Sequence, residues 1–228
     1  MPERQWPHLK AVLFDFDGTL TDYVRADLQA LETLRAAACP HVEADLFAER
    51  AVEGIMAFHE RVASGRADPL RMDRERLEHT LTAFGVPWSE AYLMTYTRAL
   101  LAATVPAPGA HALLSGLRGR FRLGLLTNAY DGAAQRERLR ASGLHDHFEV
   151  VVVAGETGAL KPDPRPFQMV LRALMVEPGE ALYVGDSPTH DVEGALAAGM
   201  PCVLVGGGRH PRAALRVPDL THLLQRWC

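Results

Sequence analysis

The sequence predicts an α/β fold, a parallel sheet with helices on both faces, interrupted by an inserted helical domain. Three observations predict it. Near the start, an apolar run, Ala11-Val-Leu-Phe14, leads directly into two carboxylates, Asp15 and Asp17, and a turn at Gly18. From about Val24 to Ala103 the chain is rich in Ala, Leu, Glu and Arg at helical spacing and holds no convincing strand. From Ala110 onward short β-rich apolar runs alternate with helical stretches, the pattern of crossover units around a parallel sheet.

The first run lacks polar alternation, which suits a strand buried on both faces. Its two acids then fall at the C-terminal end of that strand. In an open α/β sheet this is where ligands bind, beside the crevice where strand order reverses. Acids at i and i+2 at a buried strand end repel each other and must both be desolvated. A divalent cation resolves the conflict, and Mg²⁺ takes oxygen ligands, typically one or two carboxylates with a substrate phosphate and waters.

In the middle block Leu28, Leu31 and Leu34 are spaced as one apolar face, and so are Val52, Ile55 and Met56, followed by Val62. Breaks at Cys39-Pro40, from Ser64-Gly65 to Pro69, and at Gly85-Val-Pro87, with Ser89 near a helix start, divide it into about four helices. Such a block most simply forms a small bundle inserted into the sheet domain. Pro106-Ala-Pro108-Gly109 reads as the return hinge. The expected division is residues 1–21 and 105–228 as a Rossmann-like core and residues 22–104 as the helical insertion.

Beyond the hinge the reading gives a helix to about Leu117, a strand over 121–127, a helix over 132–142 and a strand over 148–154. A helix near 165–175, a strand over 181–184, a helix over 191–198 and a strand over 202–205 follow, with a short helix over 219–227 at the tail.

With 228 residues, 48% hydrophobic and 23% charged, the chain has ample material for a core. Its 28 acids against 24 bases give a net charge of −4, so no broad basic surface is available for a nucleic-acid backbone. No apolar run approaches a bilayer span, and Met1-Pro-Glu-Arg-Gln-Trp6 lacks the layout of a signal peptide. A cytoplasmic protein with neither nucleic acid nor membrane as its main partner is expected. Cys39, Cys202 and Cys228 are scattered and read as free thiols.

Three further polar clusters close apolar strands or lie in their loops. In Leu125-Leu-Thr127-Asn128 a hydroxyl ends a buried strand, where it can hydrogen-bond a phosphoryl oxygen. In Lys161-Pro-Asp-Pro164 a lysine precedes a stiff turn. In Tyr183-Val-Gly-Asp186-Ser-Pro-Thr-His190-Asp191 two more carboxylates follow a strand, one able to complete a metal site and the other to cap the next helix or orient the lysine. Together they meet the needs of phosphoryl transfer. A phosphate dianion repels an attacking carboxylate, so a cation must screen the approach and donors must meet the charge on the equatorial oxygens.

These four motifs, Asp15-Phe-Asp17-Gly-Thr-Leu, Leu125-Leu-Thr127-Asn128, Lys161-Pro-Asp-Pro and Gly185-Asp186-Ser-Pro-Thr-His-Asp191, resemble in kind and order those of the haloacid dehalogenase superfamily, over nearly the whole chain. The resemblance implies a phosphatase in which Asp15 is the nucleophile, forming an aspartyl-phosphate, and Asp17 is general acid and then base. It implies Mg²⁺ held by Asp15, the Asp17 backbone carbonyl and Asp186, with Thr127 and Lys161 holding the phosphoryl group and Asp191 in support, beside Asn128. The insertion resembles the family's C1 cap. The stretch from Thr127 to Gly199 most resembles phosphatases of the nucleotidase and acylneuraminate-phosphate type, so the expected substrate is a small phosphorylated metabolite. His190 stands where many relatives carry Asn, which bears on the hydrogen bonding around Asp191.

Other features carry less. His145-Asp-His147 reads as a surface turn rather than a metal pair, and Gly206-Gly-Gly208 lacks the dinucleotide spacing. Arg66, Arg71, Arg74 and Arg76 read as the solvated face of a helix, Arg76 being the candidate among them to bind substrate. His59 and Trp88 read as core or surface. The competing functions are a haloacid dehalogenase, a phosphosugar mutase and a non-catalytic binding module. A dehalogenase needs no second motif-I acid, so Asp17 counts against it, and a binding module has no use for all four acids and the lysine.

Overall fold

The structure, a computed structural model, describes residues 5–227; the readings of residues 1–4 and of the Cys228 thiol lie outside them. The chain divides into two compact units, one of residues up to Asp22 and from Val105, the other Tyr23–Thr104.

The first unit is built on a six-stranded, wholly parallel sheet. Its strands are β1 (Ala11–Phe14), β2 (Arg122–Thr127), β3 (Val150–Val153), β4 (Ala181–Gly185), β5 (Cys202–Val205) and β6 (Leu215–Val217), in spatial order β3-β2-β1-β4-β5-β6. Strand order reverses at β1, which pairs with β2 on one side and β4 on the other, Phe14 lying opposite both Leu125 and Val184. Period-two alternation explains why β1 is apolar throughout. Val12 and Phe14 enter one core with Leu113, Leu117, Leu139, Leu220 and Trp227, while Ala11 and Leu13 enter the other with Phe167, Val170, Ala195 and Met200.

In the second unit α1 (Tyr23–Ala38) packs on α4 (Glu90–Ala103), and α2 (Ala44–Ala63) packs on α3 (Met72–Ala83). Ser89 caps α4, accepting from the Ala91 amide at 3.3 Å. Two apolar faces differ from the sequence reading. Leu31 and Leu34 are buried but Leu28 is 45% exposed, and Val52 and Met56 of α2 are 52% and 60% exposed. The buried face of α2 is Phe47, Ala51, Gly54 and Phe58 instead. Small residues set that face: a side chain on Gly54 would press against the Arg76 carbonyl of α3, so the two helices meet at backbone distance.

Around the sheet α5 (Ala110–Leu117), α6 (Gly132–Ala141), α7 (Pro164–Ala173), a π-helical turn Pro188–Val192 leading into α8 (Glu193–Ala197), and α9 (Leu220–Trp227) complete the core. The one strand absent from the sequence reading is β6, three residues at the sheet edge. Cys39 and Cys202 are buried free thiols. Among the described residues no helix is long and apolar enough to cross a membrane.

Candidate active site

Three adjacent strands, β2, β1 and β4, end in the polar residues that the motifs single out. Asp15 follows β1 directly and its amide donates to the Val184 carbonyl at 2.9 Å, which ties the position of Asp15 to the end of β4. The chain then turns sharply. Gly18 has φ +90°, and a Cβ there would lie 2.5 Å from an Asp186 carboxylate oxygen, so only glycine lets this turn pass the second acid. Thr19 donates to Asp186 Oδ1 at 3.1 Å and orients it. Gly185 plays a similar part beside Asp191, whose Oδ2 would sit 2.3 Å from an added Cβ.

Lys161 is the centre of the charge arrangement. Its Nζ donates to Asp15 Oδ1 at 2.5 Å, Asp191 Oδ1 at 2.7 Å and the Tyr183 hydroxyl at 3.0 Å, all buried. The Tyr183 hydroxyl in turn donates to the Leu126 carbonyl at 2.8 Å. Asn128 holds the lysine's own backbone from both sides: its Oδ1 accepts from the Lys161 amide at 2.9 Å and its Nδ2 donates to the Lys161 carbonyl at 3.1 Å. Asp191 is committed through both oxygens, to Lys161 and to the Ser187 amide at 2.9 Å. His190 lends its backbone amide to Ser187 Oγ at 3.1 Å, and the Asp191 carboxylate takes its bonds from Lys161 and Ser187 rather than from the His190 ring.

Burial acts first on these charges. It raises the Asp15 carboxyl well above its ordinary value, Lys161 opposes this, and Asp191 and Asp186 add to it. Asp186 is also raised, by burial and then by Asp191. For Lys161 burial favours the neutral amine, but Asp15 and Asp191 outweigh it and its value is raised. One lysine thus faces three acids.

Oxygens of Asp15, Asp186 and Asp191 lie within 4.8 Å of one another. An all-oxygen donor set with surplus negative charge is what a hard divalent cation requires. With Asp191 occupied, Asp15 and Asp186 are the members with an oxygen to offer.

Asp17 takes a different environment. Its carboxylate accepts from Arg138 through Nη2 at 2.6 Å and Nη1 at 3.0 Å, and from Gln135 Nε2 at 2.7 Å. Thr127, ending β2, is buried with its Oγ1 accepting from the same Gln135 Nε2 at 2.9 Å. The structure therefore brings Asp15, Asp17, Thr127, Asn128, Lys161, Asp186 and Asp191 together within the sheet unit.

Arg76 is a correction. It is 1% exposed and lies inside the helical unit, its guanidinium donating to Asp27 at 2.9 and 2.7 Å, to the Tyr96 hydroxyl at 3.2 Å and to the Ala51 carbonyl at 3.1 Å. Neither a solvated face nor a substrate ligand describes it, because it is buried and four of the five N–H groups of its guanidinium bond within its own unit. Arg71 and Arg74 do stand at the surface, paired with Glu75 and Glu90. Four contributors escaped the sequence reading: Thr19, Tyr183, Gln135 and Arg138. The signal for the last two was available, since α6 places Gln135 and Arg138 three apart on the same face as Leu139, polar residues at core positions.

The haloacid dehalogenase-like hydrolase family model matches residues 9–199. The chain is 37% identical over 214 residues to a phosphoglycolate phosphatase of Rhodospirillum rubrum, covering 90% of this chain and 84% of that protein. Among solved structures, the magnesium-bound HAD-hydrolase YfnB of Bacillus subtilis superposes with a TM-score of 0.78 at 25% identity, over 96% of this chain and 98% of that one. A 2-haloacid dehalogenase of Pseudomonas syringae superposes with a TM-score of 0.68 at 27% identity, over 96% and 100%. With a Rossmann-like parallel sheet, a helical insertion between its first two motifs and a family match over most of its length, the chain belongs to the haloacid dehalogenase-like hydrolases.

Proposed function

We propose that the protein is a Mg²⁺-dependent phosphatase that hydrolyses a small phosphomonoester through an aspartyl-phosphate. The observation that carries this reading is the buried chain Asp15–Lys161–Asp191 beside Asp186, with Asp15 and Asp186 at the ends of the paired strands β1 and β4. A carboxylate oxygen of Asp15 attacks phosphorus, and the bond from phosphorus to the substrate oxygen breaks as Asp17 gives that oxygen its proton. The Thr127 hydroxyl donates to a phosphoryl oxygen, and the positive charge of Lys161 beside Asp15 offsets the negative charge gathered there. Asp17, now a carboxylate, takes a proton from water, whose oxygen attacks phosphorus and releases Asp15 and inorganic phosphate. Mg²⁺, when bound by Asp15, Asp186 and the Asp17 backbone carbonyl, would neutralise the converging oxygens. Asp191 and Asn128 support Lys161.

The dehalogenase alternative has the same nucleophile but no use for a second acid. Here a second acid, Asp17, stands two residues after the nucleophile, which favours the phosphatase. The relative named as a phosphoglycolate phosphatase supports a small soluble substrate, and the buried free thiols Cys39 and Cys202 suit a reducing cytoplasm.

The test is the leaving-group dependence of Asp17→Asn. An alkyl phosphate leaves as a basic alkoxide and needs the proton, whereas p-nitrophenolate is stable without it. Loss of general acid catalysis, typically about 10²–10⁴-fold, should fall on the alkyl substrate. With the aryl substrate, stopped-flow absorbance should show a burst of p-nitrophenolate followed by slow turnover. Equal slowing of the first step for both, with no burst, overturns the assignment.

A further inference from the structure

Helix α6 turns Gly132, Gln135, Arg138 and Leu139 inward. A helix packed on a sheet normally places apolar side chains there, and a guanidinium buried without partners is prohibitively costly. Arg138, with its side chain 9% exposed, forks onto both oxygens of Asp17, itself 21% exposed. Its Nη1 also donates to Gln135 Oε1 at 2.9 Å, and the guanidinium lies 5.5 Å over the Phe16 ring. That ring is buried between the two motif acids in sequence, so the arginine is fixed from a second direction.

Arg138 decides which way the Gln135 amide faces. Only an acceptor can meet a guanidinium, so Oε1 turns to Arg138 and Nε2 to the other side. The two hydrogens of Nε2 then go to Asp17 Oδ2 at 2.7 Å and Thr127 Oγ1 at 2.9 Å. A hydroxyl that accepts from an amide keeps its single proton for another partner. Gln135 thereby leaves the Thr127 proton to be donated to a phosphoryl oxygen.

We propose that Gln135 and Arg138 are positioning residues: the pair fixes the Asp17 carboxylate and the Thr127 hydroxyl together, so that acid–base group and phosphoryl donor keep one relative placement through both half-reactions. The inference rests on the reading of Asp17 as the acid–base residue. The Arg138 fork and the Gln135 amide bond both oxygens of Asp17, the arrangement of its carboxylate form, which exists once the proton has gone to the leaving oxygen and from which it takes the proton of the attacking water. An apolar pair on α6 would fill the same face without burying a charge, so the polar choice is explained by what it does to Asp17 and Thr127.

The experiment is a double-mutant cycle read on two substrates, an alkyl phosphate and p-nitrophenyl phosphate. Misplacing a catalytic group by about 1 Å can cost on the order of 10²-fold. Arg138→Gln is therefore expected to lower kcat/KM for the alkyl phosphate by about 10- to 100-fold, and for the aryl phosphate by less than about threefold. Because the arginine acts through Asp17, the same change in the Asp17→Asn background should add no more than about a twofold loss. Arg138→Lys should recover part of the alkyl activity. Gln135→Leu, a smaller perturbation of the fold, also removes the Thr127 contact, so it should lower kcat/KM for both substrates, with the larger loss on the alkyl phosphate, and it serves if Arg138→Gln does not fold. Equal losses on both substrates from Arg138→Gln, or a full additive loss from that change in the Asp17→Asn background, overturn the proposal. If Asp17→Asn itself gives no gap between substrates, the reading of Asp17 fails; if Asp17→Asn gives the gap and Arg138→Gln does not, only the positioning role fails.

Discussion

Arg76→Met separates two roles that a buried arginine in the inserted helical unit could have. Its guanidinium is bonded to both Asp27 oxygens, the Tyr96 hydroxyl and the Ala51 carbonyl. Burial penalises the charge, but the Asp27 hydrogen bonds and charge outweigh it and hold the group protonated. Removing the arginine leaves Asp27, with a side chain only 14% exposed, facing an apolar replacement. Breaking one side of a buried pair costs about 3–5 kcal/mol. At about 2–4 °C per kcal/mol for a chain of this size, the melting temperature should fall by roughly 6–20 °C. The triple variant Asp27→Leu, Arg76→Met, Tyr96→Phe removes the orphaned partners together and should regain most of the loss, since apolar replacement of a whole buried pair is often neutral. Urea unfolding followed by circular dichroism measures stability, and KM is measured below the unfolding range. Arg76→Met should lower the midpoint with KM unchanged. An unchanged midpoint with KM raised tenfold or so, the signature of a lost substrate contact, would refute the assignment of Arg76 to the fold.

Lys161→Met should abolish turnover and cost about 3–5 kcal/mol, because Asp15 and Asp191 lose the cation buried between them; adding Asp191→Asn should regain stability but not activity, by thermal melts and phosphate release. Gly18→Ala puts a Cβ against the Asp186 carboxylate at a positive φ, so the Mg²⁺ concentration for half-maximal activity should rise; an unchanged metal titration would contradict that packing. Burial raises Asp15 and Asp186. A raised acid stabilises the fold fully below the ordinary carboxylate range and loses that contribution as pH climbs through the raised value. The gain in Tm from Mg²⁺ should therefore be larger at about pH 8 than at about pH 5 and vanish in Asp186→Asn, and an equal gain at both pH values would count against the carboxylate cluster as its origin.

Where the sequence reading succeeded, one physical factor dominated locally. Ala11–Phe14 is apolar on both faces because both faces are covered, and the acids after it can only belong to the strand end. Where it failed, the deciding factor lay in a partner distant in sequence. On α2, periodicity favoured Val52 and Met56, but the close approach of α3 selected the stripe through Ala51 and Gly54. Strand β6 is three residues long and holds its place by pairing with β5, a signal too short to read alone. Arg76 and Arg138 have the same chemistry and look alike in sequence. Only the positions of Asp27 and Asp17 separate one that bolts a helical unit from one that grips a site residue.

The seam at which the chain departs from the sheet unit and comes back is itself hydrogen-bonded. Thr21 and Pro106 form an antiparallel bridge, and the Ala107 amide donates to the Leu20 carbonyl at 2.7 Å. To the sheet, everything between them is a loop whose ends are already pinned. Closing such a loop costs only about 0.6 kcal/mol more for each doubling of its length. Inserts of very different size can therefore be exchanged at this seam at little energetic cost to the strand ends. The residues that would select a substrate can diverge freely, while the carboxylates, lysine and threonine that would carry the chemistry stay under the constraint of β1, β2 and β4.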